Sequence, residues 1–200
     1  MHMKPSRSLI ALACLMVAAV VSLDARQQRI ASPEGVAATQ VNKQWIELVY
    51  GRPILRGRTN IFGSGADYAT TLKDGGPVWR AGANLTTVLR TEAPLEIGGK
   101  RLAPGDYGIL IDTKSPTDWT LIVTTQARQK KYDRDNKTEL YGGFNYRPDN
   151  DVARAPMRVE QIPYSVDQLT WGFTDVTATG GTMRIWWEKT MASVPFKVVS

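Results

Sequence analysis

The chain has one histidine and one cysteine among its 200 residues, and both stand near its start, at His2 and Cys14. The rest of the chain therefore lacks the side chains for a cysteine nucleophile, a Ser-His-Asp triad or a zinc site with His or Cys ligands. A lone cysteine cannot form a disulfide within its own chain. We expect no metal and no cofactor, and a fold that is stabilised by its own hydrophobic core.

The first 25 residues are organised like a secretory signal peptide. Basic residues precede an apolar run over residues 9–21, and the short stretch 22–25 follows it. Such a run of 13 residues is too short to cross a bilayer as a helix. We expect a signal-peptide helix with cleavage after Ala25, or alternatively after Ser22. The mature protein would be exported to the periplasm or the cell exterior, with no link to the membrane beyond the export signal.

The positive charge of the chain does not by itself indicate a nucleic-acid partner. The formal net charge is +6. The densest basic cluster, over residues 128–137, is interleaved with acidic residues, which is typical of a solvated loop. Export also argues against nucleic acid, so we expect no such partner. Residues 26–200 have the length of one domain.

Short runs rich in Val, Ile, Thr, Tyr and Trp alternate with turn residues, which predicts an all-β fold. The predicted strands cover residues 44–50, 84–91, 95–97, 106–112, 119–124, 157–162, 168–176, 183–188 and 194–198. Helical crossovers for a parallel sheet are missing from the pattern, so we expect an antiparallel β-sandwich of about nine strands. Two stretches, residues 51–77 and 126–151, are predicted to be long loops that form the rims of a pocket.

Two polar runs interrupt the β pattern, at residues 50–58 (YGRPILRGR) and 78–87 (VWRAGANLTT). Arginine forks can bind a carboxylate, phosphate or sulfate in a geometry that lysine does not reproduce. The alternative is that these arginines pair with Glu47, Asp67, Asp74 or Glu188 and anchor the loop. The tryptophans likewise serve either as core residues or as stacking platforms.

The candidate ligand-binding residues are Tyr50, Arg52, Arg58, Trp79, Arg80 and Asn84. Arg80 and Asn84 are expected to lie together near the rim, close to Arg52 or Arg58.

These runs resemble the bacterial domain-of-unknown-function family 2911, and the resemblance covers nearly all of the mature chain. Its other pieces are Ser32-Pro33 and the stretches at residues 61–63, 98–107, 119–122 and 187–190. The resemblance implies an exported β-rich domain and brings no established activity. The chain departs from the family pattern at Leu85, where an acidic residue is common, and at Thr124-Thr125, where an asparagine is common.

The sequence leaves catalysis open and favours a non-enzymatic binding or structural module of the cell envelope. Its expected ligand is an anionic small molecule, a glycan or a peptide. One alternative is a hydrolase of an extracellular polymer that uses two carboxylates, with Asp112 and Asp118, or Glu188 and Asp67, as examples of pairs. A second alternative is a protein-docking domain that uses an exposed apolar patch or strand edge.

Overall fold

The computed structural model describes residues 31–200. The predicted signal-peptide helix and its cleavage site lie outside the described residues. Within residues 31–200, no helix combines the length and the apolar character needed to cross a membrane.

Nine strands make up most of the described chain. They are β1 (Glu34–Val41), β2 (Gln44–Gly51), β3 (Thr87–Thr91), β4 (Leu95–Ile97), β5 (Lys100–Leu102), β6 (Gly105–Ser115), β7 (Asp118–Thr124), β8 (Asp151–Thr177) and β9 (Gly180–Val198). All pairings are antiparallel, in the order β1-β2-β3-β6-β7-β8-β9-β4-β5. The helical elements are the single turn α1 (Thr70–Lys73) and the 3-10 turns Gly65–Asp67 and Pro148–Asn150. The all-β prediction is confirmed.

The strand β8 belongs to both halves of the sheet. Residues 151–157 pair with β7, whereas later residues, up to Thr177, pair with β9. The two halves share one core, in which Leu48 of β2 packs in the same buried cluster as Ile185 and Trp187 of β9. The Tyr50 hydroxyl joins the halves by accepting a hydrogen bond from the backbone N–H of Trp171 at 2.9 Å. The sandwich is therefore one sheet folded over itself.

Two of the observed strands each combine two predicted segments, and two observed strands were not predicted. The predicted segments 157–162 and 168–176 both lie within β8, and 183–188 and 194–198 both lie within β9. β8 continues through Pro163 because its register with β9 shifts between Gln161 and Val166, where a residue without an N–H is tolerated. The unpredicted strands are β1 at the sheet edge and the three-residue β5.

The connection between β7 and β8, residues 125–150, covers the outer face of the sheet. Its Leu140 packs with Val78, Leu110 and Ile122 in a second buried cluster. The buried Gln126 side chain donates to the carbonyls of Thr138 and Asn145 and accepts from the N–H of Arg147. The predicted loop over residues 126–151 is therefore an ordered cover that side-chain amides hold together.

Candidate functional site

The connection between β2 and β3, residues 52–86, is fixed to the core by aromatic side chains. Phe62 lies 5.4 Å from the ring of Trp119 and 6.2 Å from that of Trp79, measured between centroids. Trp79 stacks on Trp187 of β9 at 6.4 Å with an interplanar angle of 15°. The Tyr68 hydroxyl accepts a hydrogen bond from Trp119 Nε1 at 2.9 Å, and burial raises the pKa of Tyr68. This part of the molecule is a packed extension of the core.

Glu188 holds the same connection from β9. Its carboxylate accepts hydrogen bonds from the backbone N–H groups of Asn60, at 2.5 Å, and Ile61, at 3.2 Å. Glu188 itself has a φ of 53°, which interrupts the extended backbone of the strand. Glu188 therefore acts as an anchor, as expected, although its partners are backbone groups and no arginine.

A cavity of about 790 Å³ opens between this connection and the end of the sandwich. Its charged lining consists of Arg58, Arg80, Asp67 and Asp74. Neutral hydrogen-bonding groups are more numerous, and they include Thr59, Asn60, Thr70, Thr71 and Asn84. The cavity thus has two cations, two carboxylates and a majority of hydroxyl and amide groups among its polar side chains.

The Arg80 guanidinium is bound by other groups of the protein. Its Nη1 donates to the backbone carbonyl of Asn84 at 2.9 Å, and its Nη2 pairs with Asp74 Oδ2 at 2.9 Å. The guanidinium lies against Gly142, since a Cβ there would be 2.8 Å from Arg80 Cζ. Arg80 therefore joins the two long connections of the fold, and its expected pairing with Asp74 is present.

The six candidate residues divide into two groups. Arg58, Trp79, Arg80 and Asn84 line one cavity. Tyr50 and Arg52 do not line it: the Tyr50 hydroxyl binds the Trp171 backbone, and the Arg52 side chain lies over Gly35 of β1.

The two aromatic residues of the candidate set do not offer a ring face to a ligand. Tyr50 is 4% exposed and Trp79 is 1% exposed, so both rings pack within the core. Trp45, by contrast, faces solvent with 46% exposure.

Arg58 keeps part of its hydrogen-bonding capacity free. Its Nε donates to the carbonyl of Leu55 and its Nη2 to that of Ile54, both at 3.0 Å. A guanidinium carries five N–H donors, so others remain for a ligand. Arg80 also uses two of its five donors, but it is only 8% exposed, whereas Arg58 is exposed. Arg58 is therefore the arginine of this cavity that a ligand could reach.

The backbone around the cavity has an unusual conformation. Of the eleven non-glycine residues with positive φ among residues 31–200, six lie in the β2–β3 connection. They are Arg56, Asn60, Ala69, Asp74, Ala81 and Asn84. The left-handed conformation costs about 1–2 kcal/mol for Arg56, Ala69 and Ala81 and less for the Asn and Asp residues, and such strain concentrates at functional sites. Four lining residues were not predicted from the sequence: Thr59, Asn60, Thr70 and Thr71. Threonine and asparagine are common in loops, so their presence there does not indicate a site.

Residues 32–196 match a family described as a protein of unknown function, DUF2911. The chain belongs to the DUF2911 family. No curated protein and no solved structure matches the chain. The runs that suggested this DUF2911 membership, at residues 50–58 and 78–87, are those that meet at the cavity. Within residues 31–200, no group of three or more His, Cys, Asp or Glu side chains is placed to hold a metal ion.

The first prediction concerns Arg80 of this DUF2911 domain. Arg80→Ala removes the hydrogen bond to Asn84 and the contact with Gly142, and we expect the free energy of unfolding to fall by about 1–3 kcal/mol. A larger loss would require a buried, uncompensated carboxylate, but the Asp74 side chain is 70% exposed. Equilibrium denaturation measures the change. Asp74→Asn is the matched control and should cost less than about 1 kcal/mol; equal losses in the two variants would contradict this account.

The second prediction concerns Glu188. Glu188→Gln places an amide donor against the N–H groups of Asn60 and Ile61, so we expect the free energy of unfolding to fall by about 1–2 kcal/mol. Hydrogen exchange at Asn60 and Ile61 should accelerate more than exchange in β6. Glu160→Gln, which removes an exposed ion pair with Arg158, is the control and should change stability by less than about 0.5 kcal/mol. Unchanged exchange at residues 60 and 61 in Glu188→Gln would rule out the anchoring role.

Proposed function

We propose that this protein is a non-enzymatic binding module of the cell envelope whose ligand occupies the cavity of the β2–β3 connection. The ligand class that the cavity favours is a glycan or a similar polyhydroxylated molecule. Export rests on the signal-peptide pattern of residues 1–25. The observation that carries the proposal is the composition of the cavity wall, which is polar, charge-balanced and held in place by the core.

The charge balance distinguishes between the ligands that the sequence suggested. Arg58 and Arg80 are offset by Asp67 and Asp74, so the charged lining has a net charge of zero. A multiply charged anion would meet two carboxylates, whereas hydroxyl groups can donate to carboxylates and accept from guanidinium, amide and hydroxyl donors. The cavity volume of about 790 Å³ lies within the range of about 300–1,000 Å³ that is usual for small-ligand sites. These features support a neutral polar ligand over a polyanion.

The third prediction tests the ligand class. We expect calorimetric titration with neutral oligosaccharides to reveal a ligand that binds more tightly than citrate. Arg58→Gln should weaken that ligand by at least about tenfold, because the amide replaces the charged donors of a guanidinium. The control is Arg56→Gln, which makes the same charge change at an exposed residue of the same connection outside the cavity lining. Tighter binding of citrate, or equal effects of the two variants, would contradict the proposal.

A carboxylate-dependent hydrolase is the second candidate, because Asp67 and Asp74 line the same cavity. Of the pairs expected from sequence, Glu188 with Asp67 is weakened because both Glu188 oxygens accept backbone hydrogen bonds. Asp112 and Asp118 stand on the β6–β7 hairpin, outside the cavity lining.

The fourth prediction separates hydrolysis from binding. An oligosaccharide that binds in the cavity is incubated with the protein, and its products are followed by mass spectrometry. The binding module predicts intact ligand. A hydrolase predicts cleavage that slows by at least about 100-fold in Asp67→Asn and in Asp74→Asn, since each carboxylate would have a role in proton transfer or nucleophilic attack. Asp118→Asn is the control and should leave any cleavage unchanged.

A further inference from the structure

A second cavity, of about 640 Å³, lies on the outer face of the sheet beside the β7–β8 connection. We call it the outer groove. Its lining comes from β1, β2, β3 and β6 together with residues 83–86 and 125–130. It shares Ser32, Ala83 and Asn84 with the first cavity, and its remaining lining residues are different.

The floor of the outer groove is apolar. Val49 of β2 lies opposite Val88 of β3, which in turn lies opposite Gly108 of β6. Residues directly opposite one another in antiparallel strands point to the same face of the sheet. Leu85, which is 38% exposed, extends this apolar surface toward the first cavity.

Arg128 lies at the other end of this row. A Cβ at position 108 would be 3.5 Å from Arg128 Cδ, an ordinary van der Waals distance, so the arginine stem lies on the sheet over Gly108. The Arg128 guanidinium has no hydrogen bond or ion pair with an acceptor among residues 31–200, whereas the neighbouring Arg90 pairs with Asp106 at 3.5 Å. Arg128 is therefore a half-buried cation that the described residues leave without a direct partner.

The electrostatic surroundings of Arg128 favour an added anion. Burial lowers the pKa of Arg128, and the nearby positive charge of Arg90 lowers it further, while Asp106 partly offsets both. A negative charge beside the guanidinium would compensate this cost of burial.

The charged residues that line the outer groove indicate which ligand charge it favours. Arg90, Arg128 and Lys130 line it together with Glu34 and Asp106, a net charge of +1. A single carboxylate neutralises this excess. A dianion would instead be repelled by the two acidic side chains once the excess was neutralised.

We propose that the outer groove binds a monoanionic amphiphile, an alkyl carboxylate, in the manner of a fatty acid. Its carboxylate pairs with the Arg128 guanidinium, which can bind both oxygens at once. Its alkyl chain covers Val49, Val88 and Leu85, whose burial contributes about 25 cal/mol for each Å² of apolar surface removed from water. Both halves of the ligand are needed, because a paired but exposed ion contributes little by itself.

The fifth prediction tests this assignment by calorimetric titration of the full chain with decanoate, 1-decanol, decyl phosphate and acetate. Decanoate and decyl phosphate are kept below their micellar concentrations. We expect saturable binding of decanoate, and binding at least about tenfold weaker for the other three ligands. Decanol lacks the charge, acetate lacks the chain and decyl phosphate carries the second negative charge. Absence of saturable decanoate binding, or equal binding of acetate or decanol, overturns the proposal. Tighter binding of decyl phosphate overturns the carboxylate assignment.

Variants identify the residues involved. Arg128→Gln and Leu85→Asp should each weaken decanoate by at least about tenfold. Arg134→Gln, which makes the same charge change in the same connection but outside the groove lining, should change binding by less than about twofold. Arg58→Gln in the first cavity should also leave decanoate binding unchanged, which keeps this test separate from that of the proposed function. Equal effects of Arg128→Gln and Arg134→Gln overturn the proposal, and Leu85→Asp decides it if Arg128→Gln fails to fold.

Discussion

Burial of aromatic rings is the interaction on which the candidate site depends. Phe62 and Tyr68 come from the β2–β3 connection, Trp119 from β7 and Trp187 from β9, and all four pack with Trp79 in one cluster. Fully burying a large apolar side chain contributes about 1.5–3 kcal/mol, and aromatic pairs add about 0.5–1.5 kcal/mol. That gain offsets part of the entropy lost when a long connection is ordered. The cluster thereby orders the connection that forms the cavity wall, and a preformed wall would reduce the free-energy cost of binding the proposed ligand.

The fold of β8 over the sheet is what brings β9 to this cluster. Residues 151–157 extend the first half of the sheet beside β7, and the rest of β8 pairs with β9 in the second half. Trp187 and Glu188 are neighbours on β9, yet Trp187 points into the aromatic cluster while the Glu188 carboxylate holds the backbone of Asn60. A positive φ at Glu188 sits at this change of direction. The residue with this conformation is thus the same residue that anchors the connection forming the cavity wall.

Sequence periodicity predicted the core better than it predicted the site. Ile46, Leu48 and Tyr50 alternate on one face of β2, and all three are buried. This alternation puts Tyr50 on the same face as Ile46 and Leu48, so the Tyr50 ring is buried with them and closed to a ligand. Arg80 and Asn84 were predicted to be close because only small residues separate them and the Asn84 amide can lock a turn, and their contact is local. Trp79 lies in no regular strand, so periodicity could not decide whether its side chain faces the core or solvent. The lining threonines could not be found, because their role depends on how the connection packs against β9.

Asn84 lines both cavities, and the lining residues on its two sides differ in chemistry. Its carbonyl accepts from Arg80, its side-chain amide donates to the carbonyl of Ser32, and its φ is 63°. On one side of Asn84, the β2–β3 connection supplies hydroxyls, amides and balanced charges. On the other, the outward face of β2 and β3 supplies valines, and the β7–β8 connection supplies cations. A single fold therefore presents two cavities of different chemistry that meet at three shared residues, Ser32, Ala83 and Asn84.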